Sequence, residues 1–203
     1  VGLLGLEHFC RCIREVTDAS GLPVLADADT GFGEAEMVRR TVLDYARAGA
    51  AGLHLEDQKF PKRCGHLDGK ELVPIDHMIE KVQWAAKASS DCSGGAFIIC
   101  ARTDARGMRG LPGPAPAGGP FLLANMTEFG KTPVLPLDRF ESMGYSIVIY
   151  PVTMLRVAMG AVARALEELH RTGTAEGLLP QMQTRQELYA LVGYKPGTPW
   201  EAP

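Results

Sequence analysis

This 203-residue chain has no cluster of Lys and Arg, no apolar run longer than a strand, and no even set of cysteines. Each absence excludes something. With 21 basic residues against 24 acidic ones and a formal net charge of −3, the chain lacks the electrostatic footprint of a nucleic-acid binder. It also lacks a basic run for an anionic membrane surface. Apolar runs of strand length give no expectation of a transmembrane helix. Residues 1–6 are apolar but have no charged n-region and no cleavage site, so no signal peptide is expected. The cysteines are Cys10, Cys12, Cys64, Cys92 and Cys100, an odd number whose spacing fits neither a disulfide framework nor a zinc knuckle. A reducing compartment follows as the expectation: the cytoplasm of a bacterium or the mitochondrial matrix of a eukaryote. There is no Ser/His/Asp order, no phosphate-binding glycine loop and no nicotinamide fingerprint; Gly31-Phe32-Gly33 is too short for a dinucleotide motif.

What is present is an alternation of strands and helices. Apolar runs at 22–29, 51–57, 96–104, 121–127 and 146–152 predict strands, several of them nearly continuous, as strands covered on both faces are. Leu6, Phe9, Cys10, Ile13 and Val16 recur at helical spacing, as do Ile75, Met78, Ile79, Val82, Ala85 and Ala86 behind Pro74. Leu155, Met159, Val162, Leu166 and Leu169 form a third stripe, closed by His170, Arg171 and Gly173. A further helix is expected over 181–191. The alternation implies a parallel α/β sheet. Polar residues end almost every strand (Asp27 and Asp29, Glu56 and Asp57, Arg102 and Asp104, Asn125 and Thr127), which favours a TIM-type barrel over a doubly wound sheet. Length predicts one domain, 1–203. Within it 106–120, rich in Gly and Pro, reads as an irregular loop that cannot supply a crossover helix.

Four constellations carry possible chemistry. In DADTGFG, Asp27 and Asp29 are two apart on an expected strand and so share a face. Paired carboxylates there suit a hard cation, Mg²⁺ or Mn²⁺; a helix-capping Asp turn is the plainer alternative. In LHLEDQ, Glu56 shares a face with His54 and either reaches the same cation or serves as a salt-bridging acid. In KRCGH, Cys64 lies between cations and a glycine, a setting for a low-pKa thiol, against the alternative of a loop cysteine without a role. In ARTD, Arg102 is placed for bidentate carboxylate binding, or for a salt bridge to Asp104. Asn125 and Thr127 offer an amide and a hydroxyl on one face. Arg156 and Arg185 sit at late helices, either as ligand-binding groups or as surface charges.

Taken in order, DADTGFG, GAAGLHLEDQ, KRCGH, ARTDA, ANMTEFGKTP and MQTRQELY resemble the isocitrate lyase/phosphoenolpyruvate mutase superfamily, and KRCGH and MQTR its branch acting on 2-methylisocitrate. The resemblance covers almost all of the chain except 106–120. It implies a Mg²⁺-dependent carbon–carbon lyase that cleaves a 2-hydroxy tricarboxylate such as 2-methylisocitrate to pyruvate and succinate. Asp27 and Asp29 would hold the metal, with Glu56 acting through water. Cys64 would be the acid/base residue and Gly65 would offer its backbone N–H. Arg102, Asn125, Thr127, Arg156 and Arg185 would bind the carboxylate substrate. The family also implies a homotetramer with exchanged C-terminal helices. Two departures accompany it. The family's first strand and Ser-Gly-Gly loop have no counterpart here, and 106–120 replaces helices and a strand ending in a catalytic-site Glu. The barrel is therefore expected to be incomplete, lacking N-terminal strand(s) and one internal βα region. The rival expectations are a catalytically impaired fragment or pseudoenzyme and an oxaloacetate-type decarboxylase, the last disfavoured by KRCGH.

Overall fold

In the computed structural model, residues 2–63, 69–105, 120–130 and 133–197 are described. The chain divides into two compact units, Val1–Pro112 and Gly113–Ala202.

The first unit is a parallel sheet with helices. Helix α1, Leu6–Ser20, buries Leu6, Cys10 and Ile13, one stripe at helical spacing, and stops where Gly21 turns left-handed and donates its N–H to the Thr17 carbonyl at 2.9 Å. Strand β1 is Leu25–Asp27. Helix α2, Ala35–Arg47, buries Val38, Thr41, Val42 and Tyr45. Strand β2 is Gly52–Glu56, helix α3 is Ile75–Ser93 and strand β3 is Ile98–Arg102. The strands pair in the order β1-β2-β3, all parallel, with Asp27 beside His54 and Glu56 beside Arg102. That register places the ends of three strands side by side. The core lies between sheet and helices: Val38, Val42, Tyr45, Leu55, Ala85 and Ala88 are fully buried. Phe9, Phe32 and Tyr45 stack edge to face, with centroids 5.3 and 6.4 Å apart. Gly52 has to be glycine for close packing, because a Cβ there would lie 2.7 Å from both Cβ and carbonyl oxygen of Ile98.

The second unit pairs strand β4, Leu122–Asn125, in parallel with strand β5, Tyr145–Ile149, through an irregular register at Leu122/Leu123. Helix α4, Leu137–Ser142, contributes Phe140 to a small core with Ala124 and Met126. Helix α5, Thr153–Thr172, has no buried residue. A 3₁₀ helix, Glu176–Gln181, precedes helix α6, Arg185–Leu191, which starts in a capping box of Thr184 and Glu187.

Alternating parallel strands and helices were expected and are present. The described residues form sheets of three and two strands and no closed barrel. Each strand is shorter than its apolar run; β1 to β4 end at the first polar residue of the rim, Asp27, Glu56, Arg102 and Asn125. The expected 22–29 strand ends at Asp27, since Asp29 is left-handed, φ 50°. Asp29 therefore does not share a face with Asp27 by strand alternation. Pro74 caps α3 rather than entering it, and the expected 181–191 helix is split at Met182, leaving α6 to begin at Arg185. Helices α2 and α4 were not anticipated. The 106–120 loop lies outside the described residues except for Pro120. Among the described residues, no helix is long and apolar enough to cross a membrane.

Candidate active site

The site is assembled where β1, β2 and β3 end. Beyond Asp27 the chain turns tightly: Asp27 Oδ1 accepts the Asp29 N–H at 2.8 Å, an Asx turn that supports the left-handed Asp29. Glu56, at the end of β2, has a fully buried side chain. Between these acids lies Lys62: its ammonium pairs with Asp29 Oδ1 and stands 3.2 Å from Glu56 Oε1. Burial works against the Lys62 charge. The hydrogen bond to Asp29 and the fields of Glu56, Asp27 and Asp29 outweigh it, so its pKa is raised.

On the other side Arg102 Nη1 lies 3.1 Å from Glu56 Oε2, and Arg102 Nη2 lies 3.1 Å from Asp104 Oδ1. Burial again opposes the charge, and Glu56 and Asp104 more than offset it, so the guanidinium pKa is raised. The salt bridge to Asp104 is therefore formed, in addition to the buried pair with Glu56. Glu56 itself is pushed up by burial, with Arg102 and Lys62 pulling the other way. Both its oxygens meet these cations as ion pairs, without aligned hydrogen bonds. His54, beside Asp27 with Nδ1 3.8 Å from Oδ1, has its pKa lowered, chiefly by burial, which favours the neutral ring.

Gln58 completes the row. Its amide donates to Asp104 Oδ2 and, at 3.0 Å, to the Arg63 carbonyl, while its oxygen accepts the Arg63 N–H at 3.0 Å. It thus ties β3 to the chain just before Cys64. Asp57 accepts the Thr103 hydroxyl at 2.6 Å and the Asp104 N–H at 2.9 Å. Lys62, Gln58 and Asp104 were not singled out as site residues. A usable signal existed for Gln58: it continues the alternation of His54 and Glu56.

The donor set suits a small hard cation: mostly carboxylate oxygens, with the His54 ring beside Asp27, and an excess of acid, Asp27, Asp29, Glu56 and Asp104 against Lys62 and Arg102. Glu56 keeps buried lone pairs without aligned donors. Among the described residues, no three His, Cys, Asp or Glu side chains are gathered as a ready cage. Mg²⁺ needs none, since it takes one or two carboxylates and keeps several waters.

Asp27, Asp29, Glu56 and Arg102 are thus brought together in the first unit. Cys64 and Gly65 lie outside the described residues. In the second unit Asn125 ends β4, and Thr127, buried two residues on, lies with its hydroxyl 3.5 Å from the Asn125 oxygen. Arg156 donates to Glu128 Oε2 at 2.7 Å and lies over the Phe129 ring. Glu128 also accepts from the Thr153 hydroxyl, the main reason its pKa is lowered, with Arg156 adding to the effect. Arg185 is exposed at the start of α6.

Parallel strands with acidic and basic side chains gathered at their C-terminal ends are where α/β enzymes place their active sites. Residues 2–114 match the phosphoenolpyruvate phosphomutase family. The chain is 43% identical to the probable 2-methylisocitrate lyase 1 of Corynebacterium glutamicum, covering 96% of this chain and 73% of that one. It is 40% identical to the 2-methylisocitrate lyase of Aeropyrum pernix, covering 96% and 71%. The crystal structure of 2,3-dimethylmalate lyase, a PEP mutase/isocitrate lyase superfamily member, superposes with a TM-score of 0.81 at 32% identity, over 95% of this chain and 73% of that one. The chain belongs to the phosphoenolpyruvate mutase/isocitrate lyase superfamily.

Proposed function

We propose that this protein is a Mg²⁺-dependent 2-methylisocitrate lyase that releases pyruvate and succinate. The observation that carries the chemistry is the row Asp29–Lys62–Glu56–Arg102–Asp104, an acid-rich chain of charges across three adjacent strand ends. The similarity to 2-methylisocitrate lyases supports the substrate.

On this reading Asp27 and Asp29 hold the metal, with Glu56 helping through water; Mn²⁺ would suit the same oxygens. When bound, Mg²⁺ supplies Lewis-acid polarisation to the oxygens of the 2-hydroxy acid end. Arg102 turns its guanidinium fork to a substrate carboxylate, with Glu56 and Asp104 fixing its plane. Asn125 and Thr127 donate hydrogen bonds to substrate carboxylates, and Arg156 and Arg185 add charge. The hydroxyl gives its proton to a water in the site, its oxygen becomes the keto group of pyruvate, and the carbon–carbon bond breaks. The electron pair passes to the carbon that becomes succinate. The Cys64 thiol gives that carbon a proton, and the Gly65 N–H steadies the carboxylate beside it. The same reading makes residues 1–203 one TIM-type barrel domain of a homo-oligomer, a tetramer as the family implies.

The test is a coupled assay for pyruvate from 2-methylisocitrate with Mg²⁺. Turnover by the full chain is expected. A folded sample that releases no pyruvate refutes the assignment. Cys64→Ser is expected to abolish turnover and leave Mg²⁺ binding intact; full activity in that variant removes Cys64 from its role.

A further inference from the structure

The turn that carries Asp27 and Asp29 is held at every backbone carbonyl. Asp27 O accepts from the Tyr45 hydroxyl at 2.8 Å, Ala28 O from the Gly31 N–H at 2.7 Å, and Asp29 O from the Glu56 N–H at 2.9 Å. Thr30 O accepts from Lys81 Nζ at 3.0 Å, and Gly31 O from the Thr41 hydroxyl at 3.2 Å. Three of these donors are side chains of α2 and α3, and all three are buried. They grip a segment containing two left-handed non-glycine residues, Asp29 and Phe32. Such conformations persist only where the surroundings over-determine them.

Lys81 is the least expected member. It is 4% exposed, and a buried ammonium ordinarily faces a carboxylate. Here its hydrogen bond goes to a backbone carbonyl, 51 residues away in the chain. The acid whose field acts on it, Glu34, is itself largely exposed and engaged by His77. A methionine would fill much the same space without the desolvation penalty of a charge. Core packing alone therefore does not account for a lysine at this position.

We propose that Lys81, together with Tyr45, is a positioning residue for the metal-binding turn: by holding the carbonyls of Thr30 and Asp27 from the helices behind, they keep the two aspartates in the geometry that binds Mg²⁺. The inference rests on the reading of Asp27 and Asp29 as metal ligands. Partners one layer behind the ligands typically set metal affinity by about 10- to 100-fold.

The test compares the full wild-type chain with Lys81→Met, Lys81→Arg and Tyr45→Phe, measuring Mg²⁺ affinity by titration calorimetry and, separately, thermal unfolding. Lys81→Met is expected to bind Mg²⁺ roughly 10-fold or more weakly while its melting temperature does not fall, and Lys81→Arg to recover the affinity. Tyr45→Phe, which removes one hydroxyl and no bulk, is expected to weaken binding as well. Wild-type affinity in both Lys81→Met and Tyr45→Phe overturns the inference. So does an affinity loss that only follows a loss of thermal stability and is not recovered by Lys81→Arg. A wild-type chain that binds no Mg²⁺ overturns the ligand assignment itself, and the inference with it.

Discussion

Replacing Arg102 with methionine is the sharpest probe of how the strand ends are held. Arg102 Nη1 stands 3.1 Å from Glu56 Oε2, and the Glu56 side chain is wholly inaccessible. At an effective dielectric near 20, that separation corresponds to a gross attraction of about 5 kcal/mol. Desolvation of both ions offsets much of it. Removing one partner of a buried pair nevertheless costs about 3–5 kcal/mol, because the other charge is left uncompensated. Arg102 keeps 22% of its side-chain surface in solvent and Glu56 retains Lys62 at 3.2 Å, so the lower end applies, about 3 kcal/mol. For a chain of this length that is a fall of roughly 6–12 °C in melting temperature. Differential scanning calorimetry of Arg102→Met reads it directly. The double variant Arg102→Met/Glu56→Gln should recover part of the loss, because the stranded carboxylate is then gone. A loss below about 1 kcal/mol, the level of an exposed pair, would refute the account of a buried charge row.

Two further outcomes follow from the same geometry. Gly31 sits at φ 92°, and a Cβ there would come within 2.5 Å of Val38 Cγ2. Gly31→Ala should therefore cost about 1–3 kcal/mol in urea unfolding, with weaker Mg²⁺ binding because the turn is displaced; a wild-type midpoint would contradict this. Burial lowers the pKa of Lys81 below its ordinary 10.5. The unfolded chain then binds this proton more tightly than the native one, so stability rises with pH between the depressed native pKa and 10.5, and is lost as pH falls through the native value. Measured across alkaline pH, the melting temperature of wild type should accordingly rise relative to that of Lys81→Met as pH increases; a difference that does not change with pH would count against it.

Helices α1 and α3 were legible because their apolar residues recur at helical spacing and each ends at a glycine. Helix α2 was not. Its signal was present all the same: buried Val38, Thr41, Val42 and Tyr45 stand at i, i+3, i+4 and i+7, with Arg39, Arg40, Asp44 and Arg47 around them, the pattern of an amphipathic helix. The acids at the strand ends could be read from sequence because residue type at a strand end is local information. Their arrangement could not. Strand alternation places Asp29 on the Asp27 face, whereas its left-handed backbone takes it out of the strand altogether. Lys62 reads in sequence as a cation beside Cys64, but its charge is engaged by Asp29 and Glu56, six residues or more upstream. Gln58 carries a local signal, the continued alternation from His54 and Glu56, but its partner Asp104 lies 46 residues away, and Lys81 reaches Thr30 across 51; no local pattern names those partners. The family motifs point to the reaction because they join Asp27, Asp29, Glu56, Cys64 and Arg102 in one ordered set; Lys81 lies outside them.

The most direct measurement is the yield of both products from 2-methylisocitrate, with Mg²⁺ and again after chelation by EDTA. Pyruvate and succinate are expected in equal amounts with Mg²⁺, and both are expected to be lost on chelation and recovered when the metal is added back. Unequal products, or cleavage that continues at full rate without the metal, would contradict the assignment.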